Sequence, residues 1–206
     1  MSTHRELLAW LKSSDSKSRL RKFWREATIA LLILVLGDTI AGVALGETST
    51  LFVSIPGMLI LVPAVTEMRG NISGILTSRL STALHLGSVH PKLYGNTVEY
   101  RDNVIATAVL SILTPIGVGM IAYIFSRLFG FDQSASLWVF VFVAFCAGAL
   151  AGSLQTVLTI LFAFTTYKHG LDPDTMVFPI LSALEDIITI LSLIVSVILV
   201  SQIGRI

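Results

Sequence analysis

Five apolar runs, each close to twenty residues or longer, make up most of the chain. They cover residues 28–46, 51–68 with a more polar extension to 86, 103–126, 136–165 and 177–201. A helix of about 20 apolar residues crosses a hydrocarbon core of roughly 30 Å. Only 13% of the 206 residues are charged, against roughly 25% in soluble domains. The sequence therefore predicts an all-α integral membrane protein with five transmembrane helices.

The basic residues are distributed unevenly around these runs. Half of the fourteen precede the first run, namely Arg5, Lys12, Lys17, Arg19, Arg21, Lys22 and Arg25. The connection after the second run adds Arg69, Arg79, Lys92 and Arg101, whereas the opposite side has only Arg127 and Arg205. Because positive flanks stay in the cytoplasm, we expect a multi-pass protein of the plasma membrane with a cytoplasmic N-terminus and an extracellular C-terminus.

The chain divides into two parts. Residues 1–27 form a basic cytoplasmic arm in which leucines and aromatic residues alternate with positive charges, a pattern typical of an amphipathic helix on the lipid surface. This arm is either a topology signal only or a lipid anchor that takes part in gating. Residues 28–206 form the five-helix transmembrane domain, which we expect to carry the function of the chain.

Two adjacent acids, Glu185 and Asp186, lie in the middle of the last apolar run. At about 100° per residue, one helix face collects Ser182, Glu185, Asp186, Thr189, Ser192 and Ser196. A charged side chain at the bilayer centre costs at least about 2.5–3.5 kcal/mol, so such residues normally face a cavity or a partner. The polar face predicts contact with water or ions, and two protonated acids bonded to neighbouring helices are the structural alternative.

A second polar face follows the same periodicity in the second run. It contains Glu67, Asn71, Gly74, Ser78, Ser81, Thr82 and His85. Gly70 and Gly74 leave backbone uncovered, which allows either close helix packing or contact between carbonyl oxygens and a cation. Pro56 and Pro63 predict a bend in this helix. Asp38, in the first run, either joins the same path or accepts hydrogen bonds from the second helix.

These faces offer carboxylate, hydroxyl, amide and carbonyl oxygens without a thiolate. Such oxygen ligands suit Mg²⁺, Ca²⁺ or Mn²⁺. The choice among these ions stays open at this point, and we expect no organic cofactor and no nucleic-acid partner. Two polar helices are few for enclosing a path, so a homodimer about an axis normal to the membrane is the economical arrangement.

Two segments carry a family resemblance. PGMLILVPAVTEMRGNISGILTSRLSTALHLG, at residues 56–87, contains a GN pair followed by a polar stretch, and LDPDTMVFPILSALEDIITI, at residues 171–190, places an aspartate seven residues after a proline. Together they resemble the signatures of the MgtE family and of the related eukaryotic solute-carrier magnesium transporters. The resemblance extends over about residues 28–201.

The resemblance implies a Mg²⁺ channel or transporter whose pore lies at a homodimer interface, lined by the second and fifth helices. By position, Asp186 corresponds to the central ion-binding aspartate and Gly70 and Asn71 to the GN motif, with Ser182 and Thr189 beside the path. Glu185 departs from the bacterial pattern. Glu67 and Asp38 complete the predicted metal-site residues. Bacterial members carry a large cytosolic sensor region, and eukaryotic relatives join two membrane units, so we expect a half-length relative without that sensor.

Other functions fit parts of the sequence. Glu185 beside Asp186 is also compatible with a Na⁺- or H⁺-coupled exchanger, or with a carrier of Ca²⁺, Mn²⁺ or Co²⁺. An intramembrane aspartyl protease would need YD and GxGD patterns, and both are absent, so we expect no enzymatic activity. A membrane scaffold without conduction would leave the polar faces unexplained.

Overall fold

The computed structural model describes residues 14–131, 135–170 and 173–203, and the described residues are helical apart from short connections. The five α-helices are α1 (Ser14–Val53), α2 (Leu61–Leu86), α3 (Val98–Leu128), α4 (Leu137–Lys168) and α5 (Pro173–Ile203), with a 3₁₀ turn at Met58–Ile60 before α2. Each contains a stretch that is long and apolar enough to cross a membrane. The predicted five-span, all-helical architecture is therefore confirmed.

Helix α1 extends well beyond its apolar run. At 1.5 Å per residue its 40 residues measure about 60 Å, twice the hydrocarbon thickness. Residues 14–27, which belong to the predicted amphipathic arm, continue directly into the first span. Residues 1–13 lie outside the described residues, and the position of the arm on the membrane surface stays a prediction.

The boundary between the first two spans lies later in the chain than the sequence predicted. Residues 51–53 are the last turn of α1, so the predicted start of the second span at residue 51 is wrong. The chain turns at Pro56 and Gly57, and Gly57 has a φ of +82°, which glycine adopts without a Cβ penalty. Pro63 lies in the first turn of α2, where its missing N–H leaves no bond unmade. The two prolines thus mark the entry to α2 and do not interrupt it.

Small residues set the helix crossings. Helix α5 packs against α1 and α4, while α2 packs against α3, α4 and α5. A Cβ built on Gly37 would lie 2.3 Å from the Cβ of Ala183, and one on Gly148 would lie 2.3 Å from Cγ of Pro115. Such close contacts between backbones are typical of membrane helices.

The interior has two apolar clusters with polar residues between them. One cluster surrounds Met58, Phe140 and Leu193, and the other surrounds Leu80 and Phe164. Along α2, α3 and α4, the segments between these clusters contribute the buried polar side chains of Arg69, Ser73, Thr107, Ser111 and Gln155. Glu185 and Thr189 of α5 are buried with them. We call this set, from Arg69 to Thr189, the polar layer.

The Gly37–Ala183 contact makes a prediction about stability. Gly37→Ala should destabilise the protein by about 1–3 kcal/mol, the usual penalty for overpacking, because the added methyl group overlaps Ala183 of α5. Gly42→Ala in the same helix is the matched control, since a Cβ there meets nothing within 4 Å. Thermal unfolding in detergent compares the two. Equal midpoints would contradict the crossing described here.

Candidate cation site

A cavity of about 240 Å³ brings together helices α1, α2 and α5. It is lined by Leu34, Thr66, Glu67, Gly70, Asn71, Phe178, Ser182 and Asp186. Five of the eight predicted site residues therefore share one cavity. The polar groups present are carboxylate, amide and hydroxyl, which are oxygen donors that hard cations prefer.

Two carboxyl groups, those of Glu67 and Asp186, line this cavity, and a third, that of Asp38 in α1, lies beside Asp186. Asp186 interacts electrostatically with both of the other acids. Asp38 and Glu67 are exposed on the surface of the single chain, and Asp186 is half-buried. Two ionised carboxyl groups in contact repel each other unless a proton or a cation lies between them. The arrangement thus favours a positive charge at this position.

Backbone and hydroxyl groups complete the wall. A Cβ on Gly70 would meet nothing within 4 Å, whereas one on Gly74 would lie 2.8 Å from Cε2 of Phe178. Gly70 therefore opens the cavity, and Gly74 serves close packing. The hydroxyl of Thr66 is buried with no hydrogen-bond partner among the described residues, which leaves it available to a water molecule.

The two predicted polar faces differ in the structure. On α2, the face from Glu67 to His85 is exposed or half-exposed apart from Ser81. On α5 the face divides: Ser182 and Asp186 line the cavity, whereas the other four side chains, Glu185, Thr189, Ser192 and Ser196, are buried. The metal-binding roles of Glu185 and Thr189 stay predictions, and their side chains lie in the polar layer behind the cavity.

Hydrogen bonds link the polar layer across four helices. Arg69 donates from Nε to Oε1 of Gln155 at 2.7 Å and from Nη1 to Oγ of Ser111 at 2.9 Å. Gln155 donates from Nε2 to the carbonyl oxygen of Glu185 at 3.0 Å and to Oγ1 of Thr189 at 2.9 Å. The layer therefore connects α2 and α3 to α5 through α4.

Glu185, the acid of the polar layer, lies near Arg69, its base. The carboxyl group of Glu185 lies near enough to Arg69 to interact with it electrostatically, but its Oε1 has no hydrogen-bond partner among the described residues, and neither does Nη2 of Arg69. Glu185 is 2% exposed and Arg69 is fully buried. The two groups form no direct salt bridge among the described residues, so each lowers the cost of burying the other only through longer-range attraction.

Arg69 is the residue that the sequence interpretation misplaced. It was counted among the cytoplasmic flanking charges, but it lies in the middle of α2 and is wholly buried. Counting Arg69 among the cytoplasmic flanking charges was therefore wrong, whereas Arg79, Lys92 and Arg101 do lie in or near the connection after α2. Gln155 and Ser111 were also missed, because each lies inside an apolar run. The signal that the sequence offered was a glutamine inside an apolar run, and the structure shows that this glutamine is fully buried.

A larger cavity has a different character. It measures about 450 Å³ and lies at the connection between α1 and α2, lined by Phe52, Leu59, Ile60, Phe131 and other apolar residues. Among the described residues, no acid lines it. Its lining offers no ligand for a cation, and the smaller acidic cavity is the candidate site.

Within one chain the acids do not form a closed metal site. Among the described residues, no three histidine, cysteine, aspartate or glutamate side chains are close enough to hold a metal ion directly. Mg²⁺ usually keeps several waters and contacts only one or two carboxylates. The cavity is therefore suited to a hydrated ion rather than to a fully dehydrated one.

Five long apolar helices around an acidic cavity define a multi-pass membrane protein with a site suited to cations. The family model of MgtE, described as a divalent cation transporter, matches residues 62–196. The match covers α2 to α5, including the cavity residues of α2 and α5. The chain belongs to the MgtE family.

Similar proteins are found among eukaryotic solute carriers. Solute carrier family 41 member 2 of Xenopus laevis is 25% identical over 185 residues, which cover 82% of this chain and 32% of the relative. The human member 2 is 24% identical, with 79% and 29% covered. Member 3 of Rattus norvegicus is 28% identical, with 80% and 36% covered. The chain spans about a third of the length of these relatives, and no solved structure matches it.

The cavity makes a prediction about water access. In a Cys146→Ala background, which removes the free thiol, Asn71→Cys should react rapidly with a charged, membrane-impermeant methanethiosulfonate, because thiolates form in water. Ile72→Cys, whose side chain is 5% exposed, and Ile112→Cys, which is 49% exposed on an apolar surface, should react slowly. Equal rates at positions 71 and 112 would contradict an aqueous cavity.

Proposed function

We propose that this protein moves Mg²⁺ across the plasma membrane, and that the ion passes the acidic cavity between α1, α2 and α5. The observation that carries the proposal is that Glu67 and Asp186 line one cavity, with Asp38 beside Asp186, in a chain of the MgtE family. The relatives are named as solute carriers, which supports transport as the activity.

The size and chemistry of the cavity favour a hydrated ion. An octahedral Mg²⁺ shell contains six waters, whose liquid volume is about 180 Å³, against about 240 Å³ in the cavity. Carboxylates, the amide of Asn71 and the hydroxyl of Ser182 can accept or donate hydrogen bonds to that shell. Asp186 is central in this arrangement because it faces both other acids.

We further propose that two copies pair across the cavity. The acids of α1 and α2 are exposed on the single chain, although carboxylates in membrane spans normally face a partner or an aqueous cavity. A two-fold axis beside α2 and α5 would enclose the path and double each ligand. The mass of the detergent-solubilised protein, measured by native mass spectrometry, tests this, and a monomer at all concentrations would refute it.

Coupled exchange receives no support from the site. The argument for exchange was that a second titratable acid, Glu185, is adjacent to Asp186. In the structure Glu185 does not line the cavity and is buried in the polar layer near Arg69. Uniport of Mg²⁺ is therefore the function that the cavity supports best.

The proposal predicts the effect of a single substitution. Asp186→Asn should lower Mg²⁺ uptake into liposomes by about tenfold or more, because losing one charged contact of about 1.5–3 kcal/mol corresponds to at least that factor. Asp102→Asn is the matched control, since this acid is exposed at the start of α3 and contacts Arg101.

Uptake is measured with a Mg²⁺-sensitive dye inside the liposomes, in the absence of Na⁺ and pH gradients. Full activity in Asp186→Asn would remove this residue from the ion path. Absence of uptake in the unmodified protein would refute uniport.

A further inference from the structure

The residues next to the cavity ligands point away from the cavity and into the polar layer. Arg69 precedes Gly70 and Asn71 in α2, and Glu185 precedes Asp186 in α5. Adjacent residues in a helix are about 100° apart, so each helix presents one residue to the cavity and its neighbour to the interior. A shift of Arg69 or of the Glu185 backbone therefore moves a wall of the cavity.

Gln155 of α4 spans the space between these two helices. Its amide oxygen accepts from Arg69 of α2, and its amide nitrogen donates to two oxygens of α5, the Glu185 carbonyl and the Thr189 hydroxyl. Only an amide side chain offers an acceptor and two donors in a fixed plane. Gln155 is fully buried, so water does not replace these bonds.

A second hydrogen bond, to α3, holds the guanidinium group of Arg69 on the side opposite the bond to Gln155. Its Nη1 donates to Ser111 of α3, and a Cβ on Gly152 would lie 2.9 Å from the same nitrogen. The guanidinium group is thus held between α3 and α4, with Gly152 providing its space. Arg69 cannot move without breaking a hydrogen bond or meeting the backbone of α4.

We propose that Arg69 and Gln155 are positioning residues which set the separation of α2 and α5 across the cavity. We call this pair the interhelical clamp. The inference rests on the proposed function and deepens it, because the clamp would determine which divalent ion fits. Mg²⁺ demands near-ideal octahedral geometry, whereas Ca²⁺ accepts variable geometry and longer contacts. A clamp that holds the walls at one distance therefore favours Mg²⁺ over Ca²⁺.

The test replaces the bridging amide. Gln155→Met removes all three bonds of the side chain at similar volume. Because outer-shell residues that orient ligands typically change affinity or activity by about 10- to 100-fold, the KM for Mg²⁺ uptake should rise by that factor. The ratio of Mg²⁺ to Ca²⁺ uptake should fall with it. Thr77→Val is the matched control, since this buried hydroxyl of α2 has no hydrogen-bond partner among the described residues.

Two further variants separate positioning from a general effect on folding. Gln155→Glu keeps an acceptor for Arg69 but loses the donor to α5, and Gln155→Asn keeps the amide on a side chain one methylene shorter. Both should reproduce the raised KM and the lost discrimination. If Gln155→Met does not fold, these two variants supply the measurement.

Each outcome bears on the proposal. The clamp is supported when a Gln155 variant has a raised KM and a lower preference for Mg²⁺ but unfolds at the same temperature as the Thr77→Val control. A lower protein yield with unchanged KM and ion preference in the folded fraction would overturn it, since only a structural role would then remain. Absence of Mg²⁺ uptake in the unmodified protein would refute the proposed function itself, and undiminished uptake in Asp186→Asn would refute the proposed ion path. The clamp is refuted alone when Asp186→Asn abolishes uptake and all Gln155 variants transport normally.

Discussion

The interaction on which this structure depends is the compensation of one buried positive charge. Arg69 lies at the middle of a membrane helix with no exposed surface, where an unpaired guanidinium would be strongly unfavourable. Three other helices contribute to its stabilisation: α3 and α4 through hydrogen bonds, and α5 through the nearby opposite charge of Glu185. A hydrogen bond to a charged group contributes about 1.5–3 kcal/mol. The relative positions of the helices are therefore coupled to this one side chain.

The apolar clusters and the polar layer have separate roles. Packing around Phe140 and around Phe164 holds the two ends of the bundle, but apolar contacts in lipid have little directional preference because the tails are equally apolar. Hydrogen bonds in the polar layer have defined lengths and angles. They specify how α2 and α5 are placed relative to each other, and this placement gives the cavity its shape.

The sequence predicted those features that depend on a single helix. Run length predicted five spans, and helical periodicity predicted the polar face of α2 and the position of Asp186. The break at Pro56 and Gly57 was missed as a helix boundary because apolar residues continue on both sides of it. Arg69 and Gln155 were missed because their roles depend on partners in other helices, which periodicity within one helix does not reveal. Placing Glu185 in the polar layer likewise required the position of Arg69.

The two adjacent acids of α5 thus have different surroundings, and this difference determines the charge of the cavity. Neighbouring residues on a helix cannot face the same direction, so one acid is directed inward and the other to the cavity. Glu185 lies near the opposite charge of Arg69, whereas Asp38, Glu67 and Asp186 form no salt bridge with a basic side chain among the described residues. The negative charge that remains uncompensated is therefore concentrated at the cavity. In the function proposed above, a divalent cation supplies the opposite charge there, whereas the buried arginine lies behind the wall of the cavity, near Glu185.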